Sequence, residues 1–479
     1  MKRTLLTLGS CALGAAASAA EKPNLVIIHT DEQSFRTLSC YQELMPEDQA
    51  FVWGKGMNST TPNIDRIAKA GAVCTSYYCA APVSTPSRAS MISGLYPEFT
   101  GAPKNGDFLR EDIPTLGTIL SENGYSTSYL GKWHLAGDDE QYAFGIEYKA
   151  GFQDNRYMMT AGHAPYLRMV DGEIVERGLG KNVYAKASNK EEIVHYTDFF
   201  TDKTIEIIDR DKDKPFCVMV SIPDPHTPDY ARPPYNTMYD HLDPQAPATM
   251  SDELAAQRPE WATDKTNSRM EFDAEPLKQY FGMVKHIDDS VGRILDVLEK
   301  NGLMENTIVV FTSDHGDMFY EHNRMNKGVP YEASARIPFV ISYPDKIPAG
   351  KVVTTSYVNV DFTPTMLGLM GVESDADFHG EDTSADLVSK DKKVDDSRFI
   401  YFRPTGGWWA CAVEGQYKLV IDKKEVPYLF DLERDPNELI NYASDPEYAE
   451  IASKMKNELL RRLKTQDPLN RAYNVKGIK

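Results

Sequence analysis

The chain has 479 residues, 41% hydrophobic and 26% charged, with a formal net charge of −19 at pH 7. This is the composition of a globular protein with a large core and roughly one to three domains. Its Lys and Arg are not clustered, which excludes a nucleic-acid partner, since phosphate binding needs a basic face. No internal run approaches the ~20 apolar residues of a membrane span.

The first twenty residues read as an export signal. Lys2 and Arg3 form a basic start, Leu5–Ala17 an apolar run and Ala17-Ser18-Ala19 a small-residue cleavage site. Leu8-Gly9-Ser10-Cys11 also resembles a lipoprotein box, so export to the periplasm or beyond is expected, with Cys11 as an alternative lipid anchor. Behind the signal, Cys40, Cys74, Cys79, Cys217 and Cys411 match no zinc spacing. Cys74 and Cys79 either pair in an oxidising compartment or stand as buried thiols.

Short apolar runs then recur, each ending in polar residues, as buried parallel strands do. Asn24–Thr30 ends at Asp31, Tyr125–Leu130 at Gly131-Lys132-Trp133-His134, Phe216–Ile222 just before Pro225-His226, and Thr307–Ser313 at Asp314-His315. Helical patterns lie between them. Thr115–Asn123 has Pro114 ahead and Gly124 behind, and Tyr280–Lys300 carries Val284, Ile287, Val291, Ile294 and Leu298 on one stripe before Gly302. Alternating strands and helices predict an α/β doubly wound sheet, with the ligand crevice beyond the carboxyl ends of its strands. Four polar clusters fall at such ends, which predicts one composite site.

Asp138–Asn189 and Tyr230–Glu275 read as loops or insertions. The charged run Lys390–Asp396 suggests a boundary, giving a signal at 1–20, a catalytic domain over 21–390 and a smaller α+β subdomain over 391–479. In the last, Phe399–Phe402, Ala410–Val413, Tyr417–Ile421 and Tyr428–Asp431 read as antiparallel strands and Glu447–Lys464 as an amphipathic helix.

The segment from Pro82 to Met91 opens a helix. Thr85 suits its N-cap, Pro86 its first position, and Arg88 its first turn, with Ser84 at the mouth of an anion site. Ser84-Thr-Pro-Ser-Arg88 and Gly94-Leu-Tyr-Pro97 then match a known signature, C/S-x-P-S-R followed by G-x-Y-P. Thr61-Pro-Asn-Ile-Asp-Arg-Ile-Ala68, Gly131-Lys-Trp-His-Leu135, Pro225-His-Thr-Pro228 and Ser313-Asp-His-Gly316 follow the same pattern. So do Tyr331-Glu332, Arg336-Ile-Pro338, Asp361-Phe-Thr-Pro-Thr365, Tyr428-Leu-Phe-Asp-Leu432 and Asp435-Pro436. In this order, over essentially the whole mature chain, they resemble the serine-type formylglycine sulfatases of the alkaline phosphatase superfamily.

The resemblance implies an alkaline phosphatase-like sheet sandwiched by helices, and a sulfuric ester hydrolase whose Ser84 is oxidised to formylglycine by a serine-oxidising anaerobic maturase. It assigns a calcium ion to Asp31, Glu32, Asp314, His315 and the modified Ser84. It assigns Lys132, His226 and Lys327 to the sulfate and its leaving oxygen, and Arg88 and His134 to the support of the nucleophile. His226 is expected to donate to the leaving oxygen and His134 to act as base. The hydrated aldehyde offers one hydroxyl to attack sulfur and a second to expel sulfate, which a plain serine lacks. Two departures stand out: Asp31-Glu32 where the family has Asp-Asp, and Ser84 where many members have Cys, a difference an engineered replacement would also produce.

His163 and His322 fall in crevice loops as candidate substrate contacts, with Arg403 as a contact for an acidic sugar. His29, His195, His241, His286 and His379 read as structural, and Trp408-Trp409 as packing rather than sugar stacking. Long Tyr-, Arg- and Trp-bearing loops suit a sulfated carbohydrate better than a small aryl ester. A phosphodiesterase or phosphonate hydrolase on the same fold, and a non-catalytic glycan-binding protein with unmodified Ser84, remain as alternatives.

Overall fold

Alternation within the apolar runs divides the core. In β1 (Asn24–Thr30), Val26 and Ile28 face one hydrophobic cluster and Leu25 and Ile27 the other, as the two-residue period of a strand requires. A computed structural model describes residues 22–466 except 138–139, 188, 252, 255–257, 264–269, 391–397, 405–408 and 425. The expected signal with Cys11, nearly all of the charged boundary run and Trp408 lie outside the described residues.

β1 belongs to an eight-stranded sheet with β2 (Ala72–Cys74), β3 (Ser126–Lys132), β4 (Asp154–Met159), β5 (Phe216–Ile222), β6 (Thr307–Ser313), β7 (Phe339–Ser342) and β8 (Lys351–Val353). The order is β8-β2-β7-β6-β1-β5-β3-β4, and only β7 runs antiparallel to the others. Thr30 is in register with Ser313 on one side and Ile222 on the other, so three polar strand ends finish level. β1, β5 and β6 are buried throughout. Each Val, Ile or Phe so enclosed contributes about 1.5–3 kcal/mol of transfer free energy.

Helices cover both faces. α1 (Pro62–Ala70), α4 (Tyr196–Asp211) and α5 (Ala274–Lys300) share the cluster of Val26 and Ile28. α2 (Ser84–Ser93), α3 (Leu116–Glu122) and α6 (Phe362–Met370) share that of Leu25 and Ile27. Asp273 caps α5 by accepting from the Glu275 amide at 3.0 Å, and the stripe from Val284 to Leu298 is fully buried. A charge at Val291 would have no partner there and would break this layer.

A second sheet has the order β9-β10-β11-β12, formed by Ile400–Phe402, Trp409–Glu414, Tyr417–Asp422 and Pro427–Asp431 and antiparallel throughout. α7 (Ala449–Gln466) packs Met455, Leu459 and Leu463 into its cluster. Two expectations need correction. Residues 138–189, read as a loop, contain β4 and the strands Tyr166–Val170 and Glu173–Leu179, which join Ile193–His195 in a small antiparallel sheet. β3 continues through Gly131 and Lys132, because Gly131 holds φ +85° with its Cα against the Ser221 carbonyl, where a Cβ would lie 1.9 Å from the oxygen. The five described cysteines are buried free thiols, so Cys74 and Cys79 do not pair.

Candidate active site at the carboxyl ends of the strands

Beyond β1 the backbone turns sharply, with Glu32 at φ +67°. The turn is tied to its neighbours. The Asp31 amide donates to the Asp224 carbonyl at 3.3 Å and the Glu32 amide to Asp314 Oδ1 at 3.1 Å, and Tyr280 Oη donates to the Glu32 carbonyl at 2.6 Å. These bonds fix the carboxylates of two strand ends against a third.

α2 delivers Ser84 to the same place, and it starts two residues earlier than its sequence suggests. Ser84 itself opens the helix after Val83, and Thr85 is not the cap. The Thr85 hydroxyl donates instead to the His134 carbonyl at 2.8 Å, and its amide donates to Asn105 Oδ1 at 3.1 Å. Ser84 Oγ lies 3.0 Å from His315 Nε2 and 3.5 Å from Asp31 Oδ1. Arg88, one turn on, donates to Asp314 Oδ2, the Lys132 carbonyl and Ser221 Oγ at 2.9, 2.9 and 2.7 Å. One guanidinium thereby holds the ends of β3, β5 and β6 together.

The remaining cations converge. Lys132 Nζ is paired with Asp31 and lies 2.6 Å from His163 Nε2. Lys327 Nζ reaches Glu32 Oε2 at 3.1 Å and His226 Nε2 at 2.7 Å. His226 Nδ1 is 2.7 Å from the Thr227 carbonyl, which only accepts, so its Nε2 holds the lone pair facing Lys327. His163 stacks on His226 with centroids 3.7 Å apart and planes 5° from parallel.

Burial sets the protonation states. It would raise Asp31, but the Lys132 ammonium and the Arg88 guanidinium hold it well below the usual carboxylate range. Burial pushes Glu32 well above its ordinary value, and Asp317 beside it adds to that. Asp317, raised to about 6 by burial, was not singled out in the sequence, although it stands three residues after Asp314. Burial lowers Lys132, and with the Lys132 and Arg88 charges it brings His134 down to about 2. Burial lowers His315 and His163 to about 4 each and His226 well below 6.5, so these imidazoles are neutral near pH 7.

Among the described residues, three groups of side chains have cation-ligand spacing, with donor atoms within 4.8 Å of one another. In the group Asp31, His163 and His226, the Lys132 and Lys327 ammoniums already lie 2.6 and 2.7 Å from the imidazoles and oppose a metal. In His195, Asp224 and His286, the Arg232 guanidinium lies 3.2 Å from His286 Nε2 and opposes one too. Asp31, Asp314 and His315 form the third group, with Ser84 Oγ alongside. Glu32 Oε1 is buried there without a hydrogen-bond partner, while Oε2 is held by Lys327. Carboxylates, a hydroxyl and one imidazole fit a hard cation such as calcium better than zinc.

Of the other candidates, His163 joins the site and His322 does not. His322 stacks on Tyr331 with centroids 3.7 Å apart. Arg403, expected to meet substrate, is buried and paired with Glu98 at 2.9 Å. Trp409 is buried edge-on to Phe402, as packing requires. Asn105 and Tyr142, which accepts from the His163 and Ala164 amides at 3.3 and 3.1 Å, lie in loops without a periodic signal.

The profile of the Sulfatase family matches residues 23–372, and that described as N-sulphoglucosamine sulphohydrolase, C-terminal, matches residues 320–466. An uncharacterized sulfatase, YidJ, of Escherichia coli K12 is 29% identical over 465 residues, 95% of this chain and 89% of that one. An N-acetylglucosamine-6-O-sulfatase of Bacteroides thetaiotaomicron is 26% identical over 520 residues, 93% of this chain and 86% of that one. A solved structure of a protein in complex with its substrate D-glucosamine-2-N,6-O-disulfate superposes with a TM-score of 0.71 at 23% identity, covering 95% of this chain and 100% of the other. No described helix is long and apolar enough to cross a membrane.

Proposed function

The chain belongs to the sulfatase family of sulfuric ester hydrolases, and from that premise we propose that it removes sulfate from a sulfated carbohydrate, using a formylglycine made from Ser84 and a bound calcium ion. The observation that carries this reading is the convergence of Ser84 Oγ, three buried carboxylates and three buried or half-buried cations at one edge of the sheet. A solved neighbour holding a glucosamine disulfate and a relative named for N-acetylglucosamine-6-sulfate support the substrate class.

Asp31, Glu32, Asp314 and His315 would hold the calcium with residue 84, and the ion would supply positive charge against the sulfate oxygens. Once oxidised, residue 84 supplies a hydrated aldehyde with one hydroxyl to attack and another to release the product. The chain's own groups do the rest. Arg88 fixes residue 84 against Asp314. His134, neutral near pH 7, accepts a proton at residue 84. Lys132 binds a sulfate oxygen as a point charge. Lys327 and His226 face the leaving oxygen as one unit: the ammonium donates to Nε2, and the pair carries a single positive charge that stabilises the departing alkoxide. In the same reading the chain is exported through its first twenty residues, a serine-oxidising anaerobic maturase is its partner, and residues 21–390 and 391–479 form a catalytic domain and a smaller subdomain. The C-terminal profile, however, begins at residue 320, ahead of that boundary.

The test is peptide mass spectrometry of protein from its native host, with sulfate release measured on the same sample. The expected mass at Ser84 is two hydrogens short of serine. Full sulfatase activity from protein whose Ser84 is unoxidised would overturn the mechanism.

A further inference from the structure

Between His315 and Lys327 the chain takes a strained path. Eleven described non-glycine residues have φ in the left-handed region. Five of them fall between positions 319 and 326: Phe319, Tyr320, His322, Asn323 and Asn326, at φ +31°, +72°, +53°, +52° and +61°. Such residues persist only where their surroundings over-determine them, and they gather at functional sites. The loop runs from Asp317, two residues after His315, to Asn326, just before Lys327.

One oxygen closes it. Asp317 is buried, and its Oδ1 accepts from the Phe319 amide at 2.8 Å, a local turn, and from the Asn326 amide at 3.0 Å, across the loop. Beside it the Met318 amide donates to the Asn326 carbonyl at 2.7 Å. Both backbone polar groups of Asn326 are therefore held from the start of the loop, and the peptide that leads into Lys327 is fixed. The middle is braced separately. Glu321 accepts from the buried Arg36 guanidinium through both oxygens, at 3.0 and 3.2 Å, and Trp53 Nε1 donates to the Phe319 carbonyl at 3.0 Å. The Phe319 ring meets Tyr280 with centroids 4.5 Å apart, and the Tyr280 hydroxyl ties down the Glu32 carbonyl. The loop that carries Lys327 and the turn that carries its partner Glu32 thus share one support.

We propose that Asp317 is a positioning residue: by bonding two amides across this loop it sets the Lys327 ammonium against His226 and Glu32. The inference rests on the reading of Lys327 and His226 as the pair that faces the leaving oxygen, and it adds the group that places them. A lysine side chain is long and flexible, so the direction in which it leaves the backbone decides where its charge can rest.

The matured enzyme should be compared with two variants on a sulfated saccharide. Asp317→Ser keeps an oxygen for the local Phe319 amide but is one atom too short for the Asn326 amide, whereas Asp317→Asn offers one carbonyl oxygen to both. The expected outcome is a fall of about 100-fold in kcat for Asp317→Ser, the scale of a displacement of about 1 Å, with recovery to within about fivefold of wild type in Asp317→Asn. An equal fall in Asp317→Asn would make the charge responsible and not the bond, and would overturn the proposal, as would full activity in Asp317→Ser. Lys327→Ala separates positioning from a merely structural role. Adding Asp317→Ser to it should lower kcat by less than about twofold more, because the loop then has no ammonium to place; losses that multiply overturn the inference. Wild-type matured enzyme that releases no sulfate would defeat the catalytic reading instead. Crystal structures of the wild type and Asp317→Ser, which need no turnover, then decide the loop alone: Lys327 Nζ moved off His226 Nε2 supports the proposal, and the 2.7 Å approach retained overturns it.

Discussion

Lys418 and Lys132 are both ammoniums removed from water, but their surroundings differ. Lys418, on β11, lies 2.8 Å from Glu332 and 2.7 Å from Glu438, with Tyr78 Oη donating to Glu332 at 3.0 Å and Arg336 at 3.4 Å. Two carboxylates meet two cations there, and the second sheet is pinned to the first. At the strand ends Asp31, Glu32, Asp314 and Asp317 outnumber Arg88, Lys132 and Lys327. Glu32 Oε1 lacks a hydrogen-bond partner, Glu32 is raised by burial and by Asp317, and Asp317 is raised by burial. Balanced charges make a clamp, whereas a cluster with negative charge left over has capacity for a cation and the substrate that follows it.

If the comparison holds, changes at the strand ends should alter chemistry and changes at the clamp should alter stability. The largest effect is expected for Ser84→Ala. Sulfate release should fall by at least about 1,000-fold with the melting temperature nearly unchanged, because the hydroxyl packs against other polar groups and not within the apolar core. A variant retaining more activity than that would remove Ser84 from the nucleophile role. Next comes chelation. Stripping calcium from the matured enzyme should abolish most activity and also lower the melting temperature, since the carboxylate excess is then uncompensated; full activity and an unshifted melt in excess chelator would leave the cluster without its cation.

Lys418→Met tests the other side. Removing one partner of a buried ionic group costs about 3–5 kcal/mol, so denaturant midpoints should drop markedly while the folded fraction keeps its kcat. A loss of kcat at unchanged stability would erase the distinction between the two clusters. The smallest effect is expected at His163. His163→Phe keeps a ring on His226 but loses the nitrogen beside Lys132, and kcat/KM should fall about tenfold with stability preserved, while His163→Gln should recover part of the loss by offering an acceptor. No change in either variant would show that the stacked pair does not orient Lys132.

The legible parts of this fold are those in which burial alone dictates structure. β1, β5 and β6 have the limits expected from their apolar runs, because every residue in them is enclosed. The start of α5 was not legible, since Ala274, Glu275 and Pro276 precede the apolar stripe and a cap by Asp273 decides it. The strands around Arg168 and Glu176 were missed for a similar reason: their outward residues are charged and the alternation is weak. In the site, residues at strand ends and in local motifs could be read, and the structure brings Ser84, Arg88, Lys132, His226, Lys327, Asp31, Glu32, Asp314 and His315 together. Asp317, Asn105 and the His163–His226 stack depend on how separate loops fold over one another, which no single stretch of sequence encodes. Arg403, a candidate contact for an acidic sugar, is buried and paired with Glu98, a residue about 300 positions away that its own motif does not reveal.

The packing of α2 also bears on when the protein becomes an enzyme. All ten residues from Ser84 to Ser93 are buried, and Ser84 itself is 1% exposed. If Ser84 is oxidised as proposed, the packed helix keeps it from a second protein, and oxidation would then belong to the interval before the sheet closes around α2.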